Sequence, residues 1–263
     1  MISKKTKKSI FSLFQELGHE VEKIKNTESI DISYKTDSSP ITKADHFLNE
    51  NICNYLMQTE IKNIISEESS TKSFSVREKW DYFWILDPID GTKEFINKSD
   101  EYTINLALCF KNEPILSYVY APGRSEFYFA EKENFSYLNG ERICVKKIQE
   151  NDINVVASKS HLNQKTLNFI EALQNEYNVK LLNYGSSLKI CKVAEGKADI
   201  YPRFGQTMEW DICAADLILS EAGGELISLD NHLPLRYNKK SLVNPYFVAK
   251  SKEFNAEKAL RHF

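Results

Sequence analysis

Nowhere in this chain of 263 residues is there an apolar run of about 18 residues, the minimum for a helix that crosses a bilayer. The stretch 1–8 is basic, but no apolar core follows it as in a secretory signal. A surplus of positive charge is also missing. The net charge is −3, which argues against a protein that grips a nucleic-acid backbone, although a local basic pocket for a phosphorylated small molecule stays compatible with it. Cysteine is sparse: Cys53, Cys109, Cys144, Cys191 and Cys213 are five in number, odd, and far apart in sequence. No zinc or disulfide framework is visible. Most lie in apolar runs and read as buried, reduced thiols, which suits a reducing compartment. No repeats or low-complexity tracts occur. The expected location is the cytoplasm, with peripheral attachment at the inner face of the cell membrane as the alternative. What is present is ordinary for a globular protein, 42% hydrophobic and 27% charged residues, enough for one large domain or two intimate lobes.

One stretch organises the rest, Trp84-Ile85-Leu86-Asp87-Pro88-Ile89-Asp90-Gly91-Thr92. Residues 82–86 read as a buried strand that stops at Asp87-Pro88, because proline fixes φ and removes a donor. Gly91 then allows a tight path close to a ligand. Asp87 and Asp90, crowded into one rigid turn, repel each other unless a cation lies between them. Mg²⁺ takes oxygen ligands of this kind. Asp-Pro before Asp-Gly is equally an ordinary turn signal, and taken alone it leaves the two readings balanced. Two further stretches tip the balance. Glu67 and Glu68 upstream, and Asp211 in Glu209-Trp210-Asp211-Ile212-Cys213-Ala214-Ala215 downstream, again set acids beside apolar runs.

Around these stretches the chain changes character once. Ile10, Leu13, Phe14, Leu17 and Val21 fall at helical spacing, an amphipathic helix with one buried face; membrane attachment through it is the sharper alternative. Residues 30–34 alternate weakly, as in a strand, and 36–39 form a polar loop that fits a mobile flap near a site. A helix opens within 40–45, with Asp45 in its first turn, where an acid complements the helix dipole. Residues 61–65 read as a strand and 71–79 as loop. Residues 103–110 and 115–120 form a hairpin, and 126–130, 135–138 and 143–145 continue a meander through the Asn139-Gly140 turn. Beyond Asn151-Asp152, strands 153–157, 180–183, 198–201 and 225–229 alternate with helices 164–176, 188–195 and 211–221, the α/β signature. The expectation is an α+β lobe over 1–150 carrying the acidic motifs and an α/β lobe over 151–263 carrying the pocket, stacked as αβαβα layers.

The acidic Glu67-Glu68 stretch, the Asp-Pro-Ile-Asp-Gly-Thr turn and the Trp-Asp before a small-residue helix, in this order, resemble the inositol monophosphatase superfamily of Mg²⁺-dependent, lithium-sensitive phosphatases. The resemblance covers the chain from about residue 40 to 224 and implies the layered sugar-phosphatase fold. It implies two or three Mg²⁺ ions, held by Glu67, Asp87 and the carbonyl of Ile89 at one position and by Asp87, Asp90 and Asp211 at another. It points to Thr92, relaying a proton to Asp45 or Glu67, as the group that orients the attacking water, with Gly91 and Thr92 offering backbone N–H groups. If 93–95 begins a helix, those N–H groups face the phosphate; Thr92 as a plain helix cap is compatible with this.

Four further elements narrow the resemblance: Asp-Gly-Thr-Lys-Glu-Phe (90–95), Ser-Lys-Ser-His (158–161), Gly-Ser-Ser-Leu-Lys (185–189) and Tyr-Pro-Arg-Phe-Gly (201–205). These are similar to the 3′(2′),5′-bisphosphate nucleotidases of the CysQ type. The implied reaction removes the 3′-phosphate of adenosine 3′,5′-bisphosphate to give AMP, and acts also on the sulfated form, PAPS. His161, Ser186, Lys189 and Arg203, together with Asp211, Gly91 and Thr92, would line the nucleotide pocket. A dianionic 5′-phosphate needs such a cationic cradle, whereas inositol needs hydroxyl partners. Ser-rich caps and surface arginines are common, so each element is weak alone. Two departures from the usual pattern, Lys159 for arginine and Cys213 beside Asp211, remove no ligand; Cys213 reads first as a small buried residue. The rivals are an inositol-1-phosphatase or other sugar-phosphate phosphatase with the same metals, and a non-catalytic nucleotide-binding regulator. Neither a nucleic-acid polymer nor a protein partner is expected, and the assembly is a monomer or a homodimer.

Overall fold

The computed structural model describes residues 2–26, 31–35, 40–147, 151–158 and 163–254. The elements run α1 (Lys4–Lys25), β1 (Ile32–Tyr34), β2 (Pro40–Thr42), α2 (Lys43–Leu56), β3 (Ile64–Ser66), α3 (Phe74–Arg77), β4 (Tyr82–Asp90), α4 (Thr92–Ile96), β5 (Thr103–Phe110), β6 (Glu113–Ala121), β7 (Glu126–Glu131), β8 (Ser136–Leu138) and β9 (Glu141–Ile143). They continue with β10 (Asp152–Ala157), α5 (Gln164–Gln174), β11 (Asn178–Asn183), α6 (Leu188–Ala194), β12 (Ile200–Arg203), α7 (Glu209–Glu221), β13 (Gly224–Ser228) and β14 (Phe247–Ser251). Among the described residues, strands β3 to β9 form a seven-stranded sheet in sequence order, and a five-stranded sheet has the order β11-β10-β12-β14-β13. In the larger sheet β3 and β4 run parallel and the remaining neighbours are antiparallel.

Strand alternation assigns the layers. In β4, Trp84 and Leu86 pack with Phe14, Leu17, Leu48 and Ile52 of α1 and α2, while Phe83 and Ile85 turn to the other face, against α6 and α7. A strand covered on both faces reads as an uninterrupted apolar run, which is why 82–86 shows no alternation. Helix α7 buries Ile212, Cys213, Ala214, Ala215, Leu217, Ile218 and Leu219, so it is apolar nearly all round, as a helix between two sheets must be. Its partners include Ala107 and Val119 of the larger sheet and Leu226 and Ala249 of the smaller. Phe169, Ile170 and Leu173 of α5 cover the outer face of the smaller sheet. The order is therefore αβαβα, as expected. No helix among the described residues is long and apolar enough to cross a membrane.

Several local expectations need correction. The strand through 82–86 does not stop at Asp87-Pro88. It continues to Asp90 through a register shift against β5, where Asp87 faces Asn105 and Asp90 faces Thr103. That bulge tolerates Pro88, whose missing N–H would break a regular ladder. Residues 40–42 form β2, paired with β1, and the helix starts one residue later, capped by Thr42. The 71–79 loop contains the short helix α3. The second half is not purely alternating: β14, absent from the sequence reading, runs antiparallel to both β12 and β13. The proposed flap at 36–39 lies outside the described residues. Of the cysteines, Cys109, Cys191 and Cys213 are buried, Cys53 is half-buried and Cys144 is exposed.

Candidate active site

The parallel pairing of β3 with β4 fixes the first two acids. Ile65 pairs with Ile85 and Ser66 with Leu86, and the amide of Glu67 donates to the carbonyl of Leu86 at 3.2 Å. Glu67 thus leaves its strand beside Asp87. The bulge then spends one extra residue, so that Asp90 also reaches the cleft. Gly91, at φ +90°, turns the chain into α4, a conformation that a Cβ would strain. From the second sheet's side, α7 brings Asp211 in its first turn, where its Oδ2 accepts the Met208 amide at 2.9 Å. The start of α7 is itself anchored. Glu209, fully buried, accepts the Lys239 amide at 2.9 Å and the Lys239 ammonium at 2.6 Å, and also the Asn238 amide.

These acids lie close enough to act on one another. Burial, then Glu67, Asp90 and Asp211, push the Asp87 carboxyl well above the usual range. Burial lifts Asp90 to about 6, against the pull of Lys189 and of the Ser187 amide. Burial and Asp90 raise Asp211. Asp87 is 1% exposed, and its Oδ1 has no hydrogen-bond partner, although buried carboxylate oxygens are normally satisfied. Among the described residues no three acidic, His or Cys side chains are gathered as a finished metal site. Glu67 instead receives the ammonium of Lys35 at 2.7 Å, and Lys35 also pairs with Glu68. A hard, oxygen-preferring cation nonetheless fits this donor set: three or four mutually repelling carboxylates, one with an unused buried oxygen.

Asp45 sits behind this group. Its Oδ2 accepts the amide of Thr42 at 2.7 Å and the Thr42 hydroxyl at 2.6 Å, which closes a capping box at the head of α2. Its Oδ1 faces the hydroxyl of Thr92 at 3.4 Å, and that hydroxyl also lies 3.2 Å from the carbonyl of Ile89. Thr92 is the first residue of α4 and Gly91 its cap, so Thr92 does not cap the helix; it lines the cleft.

The same cleft also holds cationic side chains. About 200 Å³ in volume, it is lined by Glu67, Asp90, Gly91, Thr92, Ser186, Lys189, Arg203 and Asp211, together with Lys93, Glu94, Ser158, Ser187, Tyr201 and Thr207. Lys189 is nearly buried; its ammonium donates to the carbonyl of Ser186 at 2.6 Å and lies 5.6 Å from the centre of the Tyr201 ring. Burial lowers Lys189 to about 8, although Asp90 pulls the other way. Arg203 donates to the carbonyl of Gln206 at 3.1 Å, and its Nε is buried without a partner. Ser186 holds a positive φ of 48°. Ser187 does not cap α6 with its side chain; its hydroxyl bonds Thr103 and Asn105, each at 2.8 Å, and ties this part of the cleft to β5 next to the bulge.

The structure therefore brings together Asp45, Glu67, Asp87, Ile89, Asp90, Gly91, Thr92, Ser186, Lys189, Arg203 and Asp211. His161 lies outside the described residues. Cys213 is fully buried, with its sulfur 3.5 Å from that of Cys109, and burial pushes its thiol up; this is the small buried residue anticipated. Glu94, Tyr201 and Thr207 line the cleft without having been assigned. Glu94 was within reach of the sequence reading, inside the Asp-Gly-Thr-Lys-Glu-Phe run, whereas Lys35 and Glu209 carried no signal because their partners are distant in sequence.

The chain is similar to known proteins over most of its length. The model of the inositol monophosphatase family matches residues 4–263. The 3′(2′),5′-bisphosphate nucleotidase CysQ of Buchnera aphidicola is 36% identical over 224 residues, 82% of each chain. CysQ of Escherichia coli K12 is 36% identical over 226 residues, covering 84% of this chain and 89% of its own. The crystal structure of CysQ from Bacteroides thetaiotaomicron superposes with a TM-score of 0.82 at 37% identity, over 91% of this chain and 94% of that one.

Proposed function

The chain belongs to the inositol monophosphatase family, and on that premise we propose that it is a divalent-cation-dependent 3′(2′),5′-bisphosphate nucleotidase. It hydrolyses the 3′-phosphate of adenosine 3′,5′-bisphosphate to AMP and inorganic phosphate, and accepts PAPS as a second substrate. The observation that carries this reading is one cleft lined both by the carboxylates Glu67, Asp90 and Asp211 and by Lys189 and Arg203. A substrate bearing two phosphates matches such a lining, one group at the acids and one at the cations. The Buchnera aphidicola and Escherichia coli relatives named above are nucleotidases of this kind.

Glu67, Asp87, Asp90, Asp211 and the carbonyl of Ile89 are the residues that would hold Mg²⁺, two or three ions in our reading. Bound there, Mg²⁺ supplies a more acidic water and neutralises charge on the leaving oxygen. The protein's own groups do the rest. Thr92 holds the attacking water in line by its hydroxyl. A threonine hydroxyl is too weak a base alone, so the proton passes through it to Asp45, whose other oxygen stays fixed by Thr42. Burial raises the proton affinity of Asp45, which suits an acceptor. Lys189 and Arg203 fix the 5′-phosphate and so orient the ribose.

The test is phosphate release from adenosine 3′,5′-bisphosphate beside inositol 1-phosphate, with Mg²⁺, with a chelator, and with lithium. Preference for the nucleotide, lost with chelator or lithium, is the expected result. Equal or better turnover of inositol 1-phosphate would overturn the roles given to Lys189 and Arg203.

A further inference from the structure

Glu94 is a carboxylate in a cleft built to receive a polyanion. It stands in the first turn of α4, two residues after Thr92, half-buried and lining the same cavity as Asp90, Lys189 and Arg203. Two glycines lie against it, although Gly185 also passes the Glu101 carbonyl more closely still and Gly91 holds a positive φ. A Cβ on Gly91 would lie 3.3 Å from Glu94 Oε2, and a Cβ on Gly185 would lie 3.0 Å from its Cγ. The stem therefore runs along Gly185 and the carboxylate ends beside Gly91, next to the residue that addresses the scissile phosphate. An acid in a first helical turn also favours the helix itself, but that role does not require a place in the cleft.

An ionised carboxylate is an acceptor only. Facing a phosphoryl oxygen it repels; its useful partner is a donor on the substrate. On a nucleoside 3′-phosphate the donor nearest the scissile ester is the 2′-hydroxyl, and on a 2′-phosphate it is the 3′-hydroxyl. Resting on the nucleotidase reading above, we propose that Glu94 accepts a hydrogen bond from the ribose hydroxyl vicinal to the scissile phosphate. Glu94 thereby sets specificity for a ribonucleotide whose neighbouring hydroxyl is free. It selects against deoxyribose, which leaves the acceptor unmatched, and against a second phosphate on the vicinal oxygen, which meets like charge.

The experiment compares kcat/KM for adenosine 3′,5′-bisphosphate and 2′-deoxyadenosine 3′,5′-bisphosphate in the native protein, in Glu94→Ala and in Glu94→Gln, with thermal unfolding of each. The native protein should favour the ribonucleotide by about 10- to 100-fold, the range for a hydrogen bond to a charged group. Glu94→Ala should bring the ratio close to one, mainly by losing activity on the ribonucleotide. Glu94→Gln, which keeps a neutral acceptor, should fall between and serves if the alanine variant unfolds. A native ratio near one, or a ratio unchanged in both variants, overturns the role of Glu94 and leaves the nucleotidase reading standing. Turnover of neither bisphosphate by the native protein overturns both.

Discussion

The hydroxyl of Thr92 lies 3.4 Å from Oδ1 of Asp45, while Oδ2 of the same carboxylate is held twice by Thr42. One oxygen anchors and the other is left for chemistry. Asp45→Asn keeps an oxygen for the anchor and removes the proton acceptor. It should lower kcat by about 10²- to 10⁴-fold with KM for the bisphosphate little changed, and Thr92→Ala should behave alike. Steady-state kinetics with circular dichroism of each variant would check this; a large rise in KM with kcat intact would reassign both residues to binding.

Lys189 gives a pH dependence. Burial lowers its ammonium from 10.5 to about 8, so the free enzyme loses a pocket charge as pH rises through that value. On the bisphosphate, kcat/KM should fall above about pH 8, since it reports groups of the free enzyme. Lys189→Arg should push that limb upward, because a guanidinium keeps its charge. The stability effect has the opposite direction. The folded chain binds this proton less tightly than the unfolded chain, so between about pH 8 and 10.5 this group's contribution to stability rises with pH.

Arg203→Ala should raise KM for adenosine 3′,5′-bisphosphate by roughly 10- to 100-fold, the value of a hydrogen bond to a charged partner, and change KM for inositol 1-phosphate by much less. The single-phosphate substrate has nothing to place at that side chain. Equal effects on the two substrates would assign Arg203 to the phosphate held at the acids.

Lys192, fully buried, reaches Glu126 at 2.8 Å and Glu195 at 2.6 Å, and donates to the Tyr128 hydroxyl oxygen at 3.0 Å. It lies one turn beyond Lys189 and pins α6 to β7. Removing only this buried cation leaves Glu126 and Glu195 with their more exposed partners, Arg124 and Lys197, and empties a polar site in low dielectric. Lys192→Ala should therefore cost about 3–5 kcal/mol in urea unfolding, well beyond the effect of Lys23→Ala, whose pairing with Glu20 is exposed.

The readable parts of this chain were those with short-range causes. The acids were visible because each lies beside an apolar run, and the layers because the period of apolar residues changes after residue 150. Where the sequence misled, tertiary context had overruled a local rule. Pro88 marks the end of a strand by its chemistry, yet pairing with β5 carries the strand on through a bulge. Strand β14 went unread because it follows a long irregular stretch and gains its place by pairing with residues distant in sequence, Ser228 with Phe247 and Arg203 with Phe247. Lys35 shows no motif; only the fold brings it to Glu67.

The position of α7 between the sheets fixes an order of events. The inner face of the larger sheet is complete once β9 has been made, but its cover, Glu209–Glu221, comes much later in the chain. During synthesis that apolar face waits bare, the situation in which partly folded chains aggregate or recruit chaperones. Contacts across long sequence separations also form slowly, and Asp211 cannot join Asp87 and Asp90 until the last of these is made. On refolding from denaturant, helical and sheet signals should thus recover before turnover does, and the interval between them times the docking of one helix.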